Sequence, residues 1–463
     1  MPDLSGRGLS QSLIFGKFRE GAFAMITAEP KDQSSIFVPI AQARKSLLPA
    51  LVLALCLAGV GRLSAGPQFT VIDLGPSDPS PSEAIFISAD GQILGDSYQG
   101  GTNYLWLWQN GVRAVINSKD GVGAEVNRAG NVVASELGGY YMDGYGDFVP
   151  YDRAYLWSQG NVTRLGTLGG RASTAKSINN SNIIVGVADD ALQIRQPFIW
   201  QNGVMSALAF RSSSNSSWDS VSPMRIIDDG RIFGVGTLTG AVHAIQLAPS
   251  KDGIYDLSDL GALPGIGLSG SLNAFNQFGL ACGEGEFSPP LRVEAFLLKG
   301  GTATLLGNLG SDGSYGSGLN DFGDIVGESN SRSYRAFLWR DGVMYDLNSC
   351  IDTNSGWVLV NANSINNAGQ IVGHGMVGGS HHAFLLQPVS GADGGFWLSL
   401  RPASAAGQWV LTLTRQLGTH VGFELSADLV QWTPISYQTN NDGYLVDTGP
   451  VADPRFFRAL VKP

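Results

Sequence analysis

Three histidines stand close together near the end of the repeated part of the chain, His374, His381 and His382, and converging imidazoles with one further ligand are what a zinc site requires. His382, however, takes the place that Arg335 and Glu294 hold in two earlier copies of the same segment. A position that accepts an imidazole, a base and an acid reads as the exposed start of a strand, so no metal is expected. Four carboxylates, Asp96, Glu136, Glu284 and Glu328, follow the second glycine of a recurring hairpin. Were that strand the innermost one of a ring, the acids would line a central channel, where a pair could do general acid and base work on a glycoside. Other copies carry Val187, Val235 and His374 there, which fixes no acid pair, and no catalytic residue is assigned. Gly169-Gly170 precedes a strand and not a helix, so it presents no helix N-terminus to a phosphate. The run DGYGDF at 143–148 lacks the regular oxygen spacing of a calcium loop. No cofactor is expected.

The candidate for ligand binding is a length anomaly. From the second hairpin position to the tryptophan that follows, the count is 13 in the first unit, 14 in the third and 12 in the sixth, but 23 in the second, from Ala134 to Trp157. The surplus is GGYYMDGYGDFVPYD, which sets Tyr140, Tyr141, Tyr145, Phe148 and Tyr151 among Asp143, Asp147 and Asp152. Aromatic faces stack on sugar rings or peptide side chains while carboxylates hold hydroxyls. Tyr140, Tyr141, Asp143, Tyr145, Asp147 and Tyr151 are the expected contacts. The alternative is a lid that covers core.

These residues hang on a repeat. INNAGQIVG at 365, LNDFGDIVG at 319 and INNSNIIVG at 178 are its clearest copies, and ISADGQILG, VNRAGNVVA, IIDDGRIFG and FNQFGLACG are fainter ones. Their turn positions, Gly91, Gly130, Asn182, Gly230, Gly279, Gly323 and Gly369, are 39, 52, 48, 49, 44 and 46 residues apart. That is the length of one four-stranded propeller blade. Each unit offers a hairpin, then an apolar aromatic run such as LWLW at 105 or AFLW at 336, then Asn110-Gly111, Asn202-Gly203 or Asp341-Gly342 for a two-residue turn, and a fourth strand. The seventh unit stops without that strand, while VIDLG at 71 precedes the first unit as a spare. Pairing residues 69–75 with 383–387 would close the ring and remove both loose edges. A seven-bladed all-β propeller over residues 66–388 is the expected fold; a β-prism or solenoid would use the same strands without closure.

His382-Ala383-Phe384, its variants at 243 and 335, the DLG segments and the INNxGxIVG segments resemble the bacterial extracellular HAF-repeat family across about 320 residues. The resemblance implies secretion and brings no reaction and no catalytic residue with it.

Glycine at 62 of 463 residues and charged residues at only 15% suit short strands joined by tight turns. Arg44 and Lys45 precede the 14 apolar residues 47–60, with Ser64, Ala65 and Gly66 after them, the layout of a signal peptide and too short for a membrane anchor. Residues 1–65 are therefore read as leader and signal peptide, and Met25 is an alternative start. Without them the chain carries 22 basic and 35 acidic side chains, a net charge of −13, which repels nucleic acid and anionic lipid. Beyond a linker at 389–395, alternating runs such as FWLSL and FFRALV over 396–463 suggest a small antiparallel β-sandwich. The chain reads as an extracellular or envelope monomer that binds without catalysis, its partner a glycan or an envelope protein. An extracellular polysaccharide hydrolase or lyase using channel carboxylates is the competing reading.

Overall fold

The computed structural model describes residues 67–389, apart from 76–80, 101, 120, 213–216, 264–269, 288–291, 311 and 331–333, together with nine short strands outside that span. The expected signal sequence around residues 44–66 lies outside the described residues. Residues 66–392 form one compact unit and the flanking segments another. Among the described residues of the second unit, Gln11–Phe18 and Gly21–Ala28 form a hairpin, and Gln11–Phe18 also pairs with Phe456–Lys462, itself paired with His420–Ser426. Among the described residues no helix is long and apolar enough to cross a membrane.

The first unit is a seven-bladed β-propeller. Blade one holds Ser82–Ile87, Ile93–Gln99, Thr102–Gln109 and Val112–Lys119 in spatial order, and the next five blades repeat that antiparallel meander. The first strand of every blade touches the first strands of its two neighbours around a closed circle, which makes it the innermost. Blade seven is completed as the spare segment requires: Phe69–Asp73 is its outer strand, with Phe69 opposite Pro388 and Asp73 opposite Phe384. The outer turns take the form their residues demand, Asn110 and Gly111 at φ 52° and 79° and Asp341 and Gly342 at 52° and 82°. Blade four departs from the plan, because Phe210–Ser212 adds a fifth strand, parallel to Tyr255–Ala262, along its outer edge.

The motif letters have separate physical causes. Every inner strand carries a bulge at the same place, skipping Ile85, Ala124, Lys176, Met224, Asn273, Ser317 and Asn363 in turn. The bulge pushes the inner backbone onto the second strand, where a Cβ at Gly283 or Gly327 would lie 1.9 Å from a carbonyl oxygen, of Ser271 and Tyr315 respectively. The glycine ending IVG is thus required by close approach, not by its torsions. The aromatic of the third strand covers it; Trp106, Phe198, Phe296, Phe337 and Phe384 are all fully buried, each worth about 2 to 3 kcal/mol of burial.

The asparagine of INNxG does two things at once. In Asn276 the side-chain oxygen accepts from the backbone of Phe278 and Leu280, holding the turn, while Nδ2 donates 3.2 Å to the carbonyl of Asn320 in the next blade. Asn127, Asn179, Asn320 and Asn366 repeat the outward bond to Asn179, Ile227, Asn366 and Ser88. Where the asparagine is missing a longer donor replaces it: Gln92 reaches the carbonyl of Arg128 at 2.9 Å and Arg225 that of Phe275 at 2.7 Å. All seven blade junctions are stitched in this way on one side of the ring. HAF and DLG are explained in the same manner, since His382 pairs with Asp73 at 2.9 Å and Arg335 with Asp346 at 3.0 Å, third strand to fourth.

Candidate functional site

The two sides of the ring differ. The stitched side, formed by the turns between first and second strands, spends its polar groups on blade junctions. The opposite side carries the turns between second and third strands, and several of these project apolar side chains into solvent, among them Tyr98, Leu192 and Ile194. Blade two dominates that side. Its second and third strands, Val132–Met142 and Phe148–Ser158, run for 11 residues each. The expected loop is therefore a β-hairpin that outgrows its neighbours, and not a lid.

The structure separates the six expected contacts into three groups. Asp143 builds the turn: its Oδ1 accepts from the backbone of Tyr145 and Asp147 at 2.9 Å each, and its own N–H donates to the Asp147 carbonyl. Tyr145 sits at the tip, 95% exposed. Strand alternation divides the rest. Tyr141 and Tyr151 lie on one face, opposite Val149 and Gly139, whereas Tyr140 joins Met142 and Phe148 on the other face, where all three are exposed. On the first face the guanidinium of Arg171, from blade three, lies 4.9 Å from the Tyr141 ring centre, and that of Arg153 lies 5.5 Å from Tyr151. Arg171 did not stand out in the sequence because its partner ring is 30 residues away, whereas Arg153 lies two residues beyond Tyr151 on the same strand and so on the same face.

At the root of the hairpin is a cleft of about 290 Å³ lined by Glu136, Gly138, Tyr151, Arg153, Arg164 and Gly166. Glu136 does not join the other three carboxylates. Asp96, Glu284 and Glu328 stand opposite Leu105, Ala295 and Ala336, and the matching place in blade two, opposite Ala154, belongs to Ser135. One residue further along, Glu136 is turned to the other face of its blade, where it holds Arg164 at 2.8 Å.

The remaining acids gather where blades five, six, seven and one meet near the channel, on the second strand and not the innermost one. Glu83, directly opposite Asp96 in the ladder, bonds His374 of blade seven at 3.1 Å and accepts from Asn363 at 2.6 Å. Burial alone would raise the Glu83 carboxyl, but the hydrogen bond and charge of His374, with Asn363, outweigh it and hold it below the ordinary value. Asp96 moves the other way: burial lifts it, against the bond from Asn103, and the charge of Glu83 adds to the rise. Burial likewise lifts Glu328, with Glu83 and Glu284 nearby. The three histidines do not converge. His374 is held by Glu83 and His382 by Asp73, and His381 meets His374 only ring to ring at 6.1 Å. Among the described residues no group of three or more potential ligands is placed to hold a metal. Cys282 and Cys350 are both buried free thiols, the first raised by burial far above the usual thiol range.

No family model matches the chain, and no curated protein does. Solved structures that resemble it include a gluconolactonase from Xanthomonas campestris, at 12% identity over 69% of this chain and 100% of that one, with a TM-score of 0.35. TolB from Acinetobacter baumannii matches at 11% identity over 80% of this chain and 74% of its own, TM-score 0.30. The propeller domain of the Trilobed protease from Pyrococcus furiosus matches at 8% over 73% and 92%, TM-score 0.29.

Proposed function

We propose that this chain is an exported, non-catalytic binding protein of the HAF-repeat type, which takes a glycan of its surroundings on the unstitched side of the propeller. The observation that carries the reading is the contrast between the two sides. One is closed by seven side-chain bonds to backbone; the other extends an 11-residue hairpin bearing Tyr140, Met142, Tyr145 and Phe148 to solvent. Exposed aromatics on a rigid ribbon bind sugar rings at little cost in entropy. Export rests on the basic and apolar run at 44–60, and the C-terminal strands are read as an accessory β-sandwich. Acidic charge argues against nucleic acid, and the protein is taken to act as a monomer without a stable membrane anchor. A glycan array probed with the purified protein, alongside Tyr140→Ala/Tyr145→Ala, tests this. Binding lost in the variant supports the hairpin as the site, and equal binding removes it; no glycan bound would transfer the role to an envelope protein partner.

A second reading has its own observation. Glu83 and Asp96 are cross-strand neighbours whose environments push their carboxyls in opposite directions, the arrangement that assigns acid and base in a glycosidase. Release of reducing ends from a polysaccharide, abolished by Asp96→Asn and by Glu83→Gln, would favour hydrolysis over binding.

A further inference from the structure

We infer that the cleft at the root of the blade-two hairpin is a subsite for the carboxylate of an acidic sugar, a uronic acid residue in a longer chain. This rests on the glycan-binding reading above and names its ligand class.

The argument starts from charge. In a chain of net charge −10, this cleft holds two guanidinium groups and one carboxylate. Arg164 is satisfied by Glu136, through Nε at 2.9 Å and Nη2 at 2.8 Å. Arg153 is half-buried and, among the described residues, forms no ion pair; its guanidinium is steadied by the Tyr151 ring. The cleft therefore keeps one positive charge uncompensated, which matches a monoanionic carboxylate better than a doubly charged phosphate that Glu136 would repel. Asp152, the nearest other acid in sequence, is exposed and one residue out of phase, so it points away from the face that Tyr151 occupies.

Geometry supports the same choice. A planar guanidinium set over an aromatic ring, here 5.5 Å from the Tyr151 ring centre, can still offer two parallel bonds to a carboxylate. Its position depends on the glycine pair below it, for a Cβ at Gly138 would fall 2.5 Å from Cγ of Arg153 and 2.7 Å from the Tyr151 ring. Both bonds from Arg164 fall on Oε1 of Glu136, leaving Oε2 to accept from a sugar hydroxyl. A volume of about 290 Å³ is at the small end of ligand sites, enough for one ring and its carboxylate. The exposed aromatics further along the hairpin would then meet the neighbouring sugars.

Calorimetric titration of the whole protein with oligogalacturonate and with its methyl ester tests the inference, using wild type, Arg153→Gln and Arg153→Lys. The acid form should bind at least about tenfold tighter than the ester. Arg153→Gln should erase that preference, the acid and ester forms then binding alike, and Arg153→Lys, which keeps charge but not the fork, should restore only part of it. Equal affinity of wild type for acid and ester would overturn the subsite while leaving glycan binding standing. Failure of both saccharides would overturn the subsite, the glycan array deciding the wider reading, and binding of polyglutamate in their place would identify an acidic peptide as the ligand.

Discussion

Asn366 donates from Nδ2 to the carbonyl oxygen of Ser88 at 3.1 Å, joining the last blade to the first across 278 residues of chain. It is one of seven junctions of the same kind, in each of which a side chain near the inner turn donates to a carbonyl of the next blade.

Asn276→Ala removes two bonds to the turn and one to the next blade. At about 1 kcal/mol for each bond, with an orphaned carbonyl added, the expected loss is about 3 kcal/mol. Asn276→Asp keeps the turn bonds but turns a second oxygen toward the Asn320 carbonyl, so it should also destabilise. Midpoints of denaturant unfolding for the two variants measure this.

Gly327→Ala should be worse tolerated than Gly111→Ala, although Gly111 has the positive φ of 79°. At Gly111 an added methyl meets open space and costs about 1 kcal/mol in torsional strain. At Gly327 it would lie 1.9 Å from the Tyr315 oxygen, and a loss of about 3 kcal/mol or failure to fold is expected. Comparison of soluble yield and melting temperature separates the two.

Arg340 and Asp324 form a buried, two-pronged pair inside blade six, 3.0 Å at each prong. Asp324→Ala should cost about 3 to 5 kcal/mol by removing both prongs of a buried ion pair. The double variant Arg340→Met/Asp324→Leu should recover most of it in thermal unfolding.

Glu125 is buried between blades two and three, bonded by Ser177 and by the Ile178 N–H at 3.0 Å. Burial raises its carboxyl above the ordinary value of 4.5, against the opposing charge of Arg225. The folded state thus holds its proton more tightly than the unfolded chain, so stability is greatest below the ordinary value and falls as pH rises through the raised one. Glu125→Gln, which stays neutral, should lose less stability than wild type over that rise. Parallel melting curves from pH 4 upward would show the gap widening in favour of the variant; a constant gap would contradict it.

The blades were legible because each turn chemistry left its own letters: Asn-Gly and Asp-Gly at outer hairpins, an asparagine at five of the seven inner ones, and a spare VIDLG that needed a partner. The bulges were not, since a skipped residue such as Ile85 or Lys176 has no required type. Glu136 is a different case: the register from Val132 to Leu137 is unbroken, so VNRAGNVVA, which ends at Ala134, already gives the next place to Ser135, and one residue further reverses the face. Glu83 escaped notice because its partners, His374 and Asn363, come from the far end of the propeller. The parallel strand Phe210–Ser212 had no signal either, being three residues of an ordinary linker that find an open edge in blade four.

The closing strand has a consequence for biogenesis. Phe69–Asp73 leaves the ribosome before any blade, yet its partner Ser380–Pro388 is made after every other strand of the propeller, so those five residues must wait unpaired through the synthesis of the seven blades. A chain that crosses a membrane before folding would meet no such delay, because both ends of the circle reach the far side free to find each other.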